Sequence, residues 1–199
     1  MKLYWCPRTR SSRIVWILEE LDAEYDLVPM DIRDPEAKTE PGFRAASPMG
    51  KVPALDDDGV RVADSAAICL YLADRYGLGR LSPPLDHPDR GRFLFWMFFT
   101  PGAVEPAMAE KAGGWTPNPG SHGWGDFDSM IATWESELAD RSWILGETFS
   151  AADVMLGSSA IFLRTFGLLP PSTVLNAYAD RCLQRGAYGK AMALEQGDA

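Results

Sequence analysis

Apolar positions follow two different rhythms along this chain. Residues 2–6 form a short apolar-aromatic run suited to a strand. Ile14, Ile17, Leu18 and Leu21 then recur at i, i+3, i+4 and i+7, which is one face of a helix, with Ser11 or Ser12 placed ahead of it as N-cap. Residues 25–30 read as a second strand, and the polar, weakly patterned stretch 33–47 as a loop with one or two helical turns. Two apolar runs, 52–55 and 60–62, flank Asp56-Asp57-Asp58-Gly59. An Asp-Gly step between apolar runs predicts a hairpin, because glycine accepts the positive φ that the turn needs. Ser65 is then expected to cap a helix whose Ala67, Ile68, Tyr71 and Leu72 face inward, with Gly77 ending it in the left-handed conformation.

The resulting order, β-α-β-(α)-β-β-α, is that of an α/β thioredoxin-like module over residues 1–77. Residues 78–88 carry Gly79, Pro83, Pro84 and Pro88 and read as a linker. Residues 89–199 then form an all-α second domain. Phe127, Met130, Ile131, Trp134 and Leu138 mark an amphipathic helix. Between it and the aromatic-rich stretch 90–100, the Gly- and Pro-containing residues 101–125 read as one long loop. Ser150-Ala151-Ala152-Asp153 predicts a reciprocal capping box, flanked by Phe149 and Val154 at staple positions.

Bulk properties narrow the partners. Of 199 residues 46% are hydrophobic, enough for a real core, and the net charge is −9. Such an acidic chain repels phosphate backbones and anionic lipid, so neither nucleic acid nor a membrane is expected as partner. No run approaches the ~18 apolar residues of a membrane span, and no apolar leader opens the chain. The three cysteines, Cys6, Cys69 and Cys182, are scattered and lack metal spacing, which points to free thiols and a cytoplasmic setting. His87 and His122 have no ligand partner at useful spacing, so no metal is expected.

Several strings carry a resemblance. Ser47-Pro48-Met49-Gly50-Lys51-Val52-Pro53-Ala54-Leu55 resembles the segment before the third strand of cytosolic glutathione transferases, and Ala63-Asp64-Ser65-Ala66-Ala67-Ile68 resembles their glutamyl-binding turn. Leu145-Gly146-Glu147-Thr148-Phe149-Ser150-Ala151-Ala152-Asp153 resembles the capped helix of their helical domain, and the tail around Tyr178 and Tyr188 their last helices. The resemblance implies a glutathione transferase fold, glutathione as co-substrate, a hydrophobic electrophile as second substrate, a role in detoxification and a homodimer. It also implies a cis bond at Val52-Pro53, which presents the backbone of Val52 to the cysteinyl part of glutathione as in strand addition. Ser65 and the free amides of the following turn would hold the glutamyl carboxylate, since helix N-termini bind anions, and Asp64 would pair with the glutamyl ammonium. Lys51, or Lys38, would meet the glycyl carboxylate. Read without that context, Asp64-Ser65 is a plain N-cap and both lysines are solvated charges.

Thiol activation is written less clearly. The hydroxyl or cysteine used by several classes of the family would fall at position 8 or 10, and both are Arg. Thr9-Arg10-Ser11-Ser12-Arg13 is similar instead to a bacterial and fungal branch with Ser/Thr-Arg-x-x-Arg at this turn. Thr9 is the nominated hydroxyl donor to the sulfur, with Arg10 adding positive potential and Ser11 as second choice. Alternatively, Thr9 and Ser11 only cap the helix and Arg13 only snorkels along it. Trp5, Trp96, Phe99 and Trp115 are the aromatics expected around the electrophile, between the two halves. Two other readings stay open: a non-catalytic glutathione-binding or interaction protein, prompted by Arg8 and Arg10, and a glutathione-dependent disulfide reductase centred on Cys6.

Overall fold

The structure is a computed structural model and describes residues 1–196. Two compact units form: Met1–Leu78 together with 184–196, and Gly79–Leu183.

In the first unit, β1 (Lys2–Trp5), α1 (Ser11–Leu21), β2 (Asp26–Pro29), α2 (Pro41–Ala46), β3 (Ala54–Asp57), β4 (Val60–Ala63) and α3 (Ser65–Tyr76) follow one another, with a 3-10 turn at Ala37–Thr39. The sheet order is β2-β1-β3-β4. β1 pairs parallel with β2 (Leu3 opposite Leu27) and antiparallel with β3 (Leu3 opposite Leu55), and β3 pairs antiparallel with β4. This is the mixed sheet of a thioredoxin-like module. The expected hairpin is tighter than the sequence implied: Asp58 and Gly59 alone form the turn, both at positive φ (50° and 92°), and the Asp56 carboxylate accepts the Gly59 N–H at 2.8 Å. Asp56 and Asp57 therefore belong to β3.

Both helix starts differ from the expected caps. Arg10, not Ser11 or Ser12, is the N-cap of α1, and Asp64, not Ser65, is the N-cap of α3. Gly77 does end α3, but at φ −127° instead of in the left-handed region. The buried face of α3 is Ala66, Ile68, Cys69, Leu72 and Ala73. Ala67 is only half-buried, and so is Tyr71, whose hydroxyl donates to the Asp57 carboxylate at 2.7 Å. The last helix, α9 (Gly186–Gln196), which the apolar rhythm groups with the helical half, packs on α1 within this first unit. Trp16 meets the Tyr188 ring edge-on with centroids 5.0 Å apart, and Arg185 forms a two-pronged pair with Glu20 at 2.5 and 2.7 Å.

The second unit is helical: α4 (Arg90–Phe99), α5 (Glu105–Gly113), α6 (Phe127–Leu138), α7 (Ala151–Thr165) and α8 (Thr173–Leu183). Half of the expected long loop is helix. A π-helical turn at Thr100–Val104 joins α4 directly to α5, and only the stretch after Gly114 is irregular. Pro101 explains the π turn, because it has no N–H for the regular ladder and its ring crowds the preceding turn. At the start of α7, the Asp153 carboxylate accepts the Ser150 N–H (2.9 Å) and the Ser150 side chain accepts from the Asp153 backbone, as the capping box requires, and the carboxylate also accepts the Ser150 hydroxyl (3.0 Å). It also accepts the Ile144 N–H (2.8 Å) and the Tyr178 hydroxyl (2.9 Å), so one buried side chain ties a loop and two helices together.

Candidate functional site

The nominated residues cluster at two helix starts and one turn of the first unit. After β1 the chain turns over residues 6–10 into α1, with Arg8 in the left-handed region at φ 57°. A short hydrogen-bonded cycle closes this turn. The Ser11 hydroxyl accepts the Cys6 N–H at 3.3 Å, and the Thr9 hydroxyl oxygen accepts the Ser11 N–H at 3.1 Å. The single proton of Thr9 has two acceptors in reach, the Cys6 carbonyl at 2.7 Å and the Ser11 oxygen at 3.0 Å. Ser12 donates to the Thr9 carbonyl at 2.9 Å and also meets Glu195 of α9. Ser11 is fully buried beneath the turn, Thr9 is half-buried, and Arg10 is exposed.

Arg13 is the residue that sequence reasoning undervalued. Far from lying along the surface, it is buried, and its Nη1 donates to the Ser65 hydroxyl at 3.2 Å. A signal was present: the run Ile14-Val15-Trp16-Ile17-Leu18 is apolar on every face, so a charged side chain directly before it enters the interior and needs a partner.

Ser65 is the first residue of α3 and is buried. Asp64 before it is exposed, at φ 73° and ψ 135°, a conformation few non-glycine residues hold without a surrounding constraint. Its carboxylate accepts the Ala66 N–H at 3.0 Å. Because the Ser65 oxygen already accepts from the Arg13 guanidinium, its own proton is left to donate, and the helix start and the guanidinium reinforce each other's positive potential.

The third element is the turn from α2 to β3. Ser47 clamps Lys51 by its backbone, accepting the N–H at 2.9 Å and donating to the carbonyl at 2.7 Å. Gly50 between them sits at φ 62°. The Val52-Pro53 bond is cis, as expected, and Val52 packs against the buried cluster of Tyr4, Met30, Phe43, Ala46 and Ala54. Lys51 is exposed and Lys38 half-buried. Arg44 lies closer to this turn than the sequence indicated: a Cβ on Gly50 would stand 2.7 Å from its Nη1. No spacing rule points to Arg44, which simply follows from α2 folding back over the turn.

Among the cysteines, Cys69 is fully buried, and burial pushes its thiol up to about 12, with Arg13 opposing, so it is inert. Cys182 is buried and Cys6 half-buried. Of the expected electrophile aromatics, Trp5, Trp96 and Phe99 are buried while Trp115 is 58% exposed. Among the described residues, no group of three His, Cys, Asp or Glu side chains gathers to hold a metal ion, and no helix is long and apolar enough to cross a membrane.

Comparison with known proteins gives the family. The chain is 29% identical over 180 residues to glutathione S-transferase hmp2 of Hypomyces subiculosus, covering 84% of each chain. It is 28% identical over 167 residues to the disulfide-bond oxidoreductase YfcG of Escherichia coli K12, covering 76% of this chain and 75% of that one. The crystal structure of a sphingomonad glutathione S-transferase complexed with glutathione superposes with a TM-score of 0.81 at 28% identity, covering 98% and 99% of the two chains. Residues 5–75 match the family model of the glutathione S-transferase N-terminal domain and residues 106–181 that of the C-terminal domain, and the chain therefore belongs to the glutathione S-transferase family.

Proposed function

We propose that this chain is a glutathione transferase that activates the thiol of bound glutathione for attack on a hydrophobic electrophile. The observation that carries the reading is the Arg13–Ser65 bond at the start of α3, set beside a cis Val52-Pro53 turn in a chain of this family. Residues 1–77, joined by α9, act as the glutathione-binding domain, 78–88 as a linker and 89–183 as the helical domain, with the homodimer and cytoplasmic setting that the family resemblance implies.

In this scheme Val52 pairs through its backbone with the cysteinyl unit. Ser65 donates to the glutamyl carboxylate with Arg13 behind it, and Asp64 takes the glutamyl ammonium. Lys51 answers the glycyl carboxylate, and Arg44 and Lys38 add cationic potential on that side. A thiol with an ordinary pKa of ~8.5 is only a few per cent ionised at neutral pH, and lowering it by ~2 requires roughly 2.7 kcal/mol of thiolate stabilisation. Thr9 supplies part of this. Its hydroxyl exchanges a neutral carbonyl acceptor, Cys6 O at 2.7 Å, for a thiolate, and a bond to a charged acceptor is worth ~1.5–3 kcal/mol against ~1 for a neutral one. Arg10 adds positive potential at the same turn, and Ser11 is the second candidate donor. The test is ultraviolet thiolate absorbance of bound glutathione. A pKa lowered by one or more, restored towards the solution value in Thr9→Val with affinity intact, supports the scheme; a bound thiol at its solution pKa refutes it and leaves a glutathione-binding protein without transferase chemistry.

A second reading has its own observation. Cys6 is half-exposed at the same turn, and one relative is a disulfide-bond oxidoreductase. A glutathione-dependent disulfide reductase centred on Cys6 would lose turnover of a small disulfide in Cys6→Ala, whereas full activity in that variant removes this reading.

A further inference from the structure

The last helix of the chain runs back along the first. Arg185, just before α9, pairs with Glu20 near the end of α1, and Glu20 also accepts the Trp16 indole N–H at 2.9 Å. Tyr188 packs edge-on against Trp16, one turn earlier on α1, and Lys190 stands 3.9 Å from Glu19. Glu195, in the last turn of α9, meets the Ser12 hydroxyl at the start of α1. The two helices therefore lie antiparallel, and the end of α9 arrives at the turn that carries Thr9.

Ser12 and Glu195 are both half-buried at this meeting point. The Ser12 hydroxyl has one proton and two acceptors, the Thr9 carbonyl at 2.9 Å and the Glu195 carboxylate. The charged acceptor holds that proton more strongly. The Thr9 carbonyl still receives the Ser12 N–H at 3.2 Å, so Ser12 is gripped from both sides. The bonds of the Thr9 hydroxyl, by contrast, stay within the turn, to Cys6 and Ser11. Glu195 ties the turn to a segment 183 residues later than Ser12. Such an outside tie matters here, because Arg8 sits in the same turn at φ 57°, which a non-glycine residue holds only under constraint.

Glu195 brings a charge as well as a bond. A carboxylate beside the first turn of α1 suits the positive end of the helix, but a thiolate formed at that same end would be repelled by it. The two effects act on the thiol in opposite directions, and substitution separates them. Glutamine keeps an acceptor oxygen for Ser12 and drops the charge, whereas alanine removes both.

We propose that Glu195, acting through Ser12, is a positioning residue that holds the Thr9 hydroxyl in place for the glutathione sulfur, so that the end of the chain sets thiol activation at its start. The role rests on the reading of Thr9 given above. Ultraviolet titration of glutathione bound to the full chain tests it. Glu195→Ala should raise the bound thiol's pKa by about 0.5 or more, which leaves roughly threefold less thiolate below the pKa, with glutathione affinity by calorimetry unchanged. Ser12→Ala should reproduce that rise. Glu195→Gln should hold the pKa at or below the wild-type value, because the bond is kept and the repelling charge is gone. In a Thr9→Val background Glu195→Ala should add nothing, since the residue it positions is already absent. Lys190→Met, which loosens the same helix at an exposed pair, should leave the pKa where it was. The role is overturned if Glu195→Ala keeps the wild-type pKa, if Glu195→Gln raises it equally, or if the rise persists in Thr9→Val. An equal rise in Lys190→Met overturns it too, since general docking of α9 would then be the cause. A wild-type chain whose bound glutathione keeps its solution pKa refutes the transferase reading itself and the role with it. A lowered wild-type pKa that Glu195→Ala does not move refutes the role alone.

Discussion

Replacing Asp153 by alanine sets burial against hydrogen bonding at a site where the two can be separated by pH. The carboxylate is fully buried and accepts from four donors, the N–H groups of Ile144 and Ser150 and the hydroxyls of Ser150 and Tyr178. The hydroxyls can rotate to other acceptors, but the two backbone N–H groups cannot. Each buried donor left without a partner costs ~1–3 kcal/mol, so the loss against a neutral carboxyl is about 4 kcal/mol. Burial opposes this. Desolvation outweighs the four donors and raises the carboxyl from its ordinary 3.8 to about 6. A carboxyl raised in the folded state contributes stability that is complete below about 3.8 and is lost as pH rises through about 6. At ~1.4 kcal/mol per pH unit, that loss reaches ~3 kcal/mol by pH 8 and only ~1 kcal/mol at pH 4.5. Asp153→Ala should therefore cost ~3 kcal/mol at pH 4.5 and ~1 kcal/mol at pH 8, or roughly 6–12 °C and 2–4 °C in melting temperature for a chain of this size. Urea unfolding of wild type and variant at both pH values measures the difference directly. A cost that is equal at the two pH values, or larger at pH 8, would show that the donors dominate and that the reasoning is wrong.

Asp57 should show the opposite sign. Burial raises its pKa, but the Tyr76 and Tyr71 hydroxyls and Arg75 outweigh it and hold the carboxyl below its ordinary range. Its contribution is present at neutral pH and lost as pH falls through the folded value, so Asp57→Asn should cost more at pH 7 than at pH 3.5 by urea unfolding. Ser47→Ala frees both backbone groups of Lys51, and should cost ~1–2 kcal/mol and weaken glutathione binding about tenfold by calorimetry. Arg13→Met keeps the stem's packing but removes the guanidinium behind Ser65, and glutathione affinity by calorimetry should fall at least tenfold.

Local signals carried most of the fold. The period of α1 and α6, the Asp-Gly turn and the Ser150–Asp153 cap each act within a few residues, so a sequence window contains their physics. The misreadings arose where a distant partner decided. Pro101 and Gly102 read as a break because proline usually ends a helix, yet the chain absorbs the missing N–H in a π turn and continues into α5. The last helix looks like a member of the helical half by its pattern, and partners on α1, among them Glu20, Trp16 and Ser12, show where it docks. Asp64 took the cap that Ser65 was expected to form because the Ser65 hydroxyl faces Arg13, a partner 52 residues earlier that no local rule connects to it.

That same displacement bears on which group meets the glutathione sulfur. Had Ser11 capped α1 as an ordinary N-cap, its hydroxyl would point along the helix start and compete with Thr9 as donor. Instead Ser11 is the first helical residue, fully buried, with its oxygen holding the Cys6 N–H and its own N–H holding Thr9. Ser11 therefore shapes the turn, whereas Thr9 is half-buried with one proton shared between two acceptors in reach. The two substitutions should then separate by kind. Ser11→Ala removes the acceptor of Cys6 N–H and loosens the whole turn, lowering stability and glutathione affinity together. Thr9→Val keeps the shape of the side chain and should spare affinity while raising the bound thiol's pKa. If Ser11→Ala raises that pKa as much as Thr9→Val with stability and affinity unchanged, the roles assigned to the two hydroxyls are reversed.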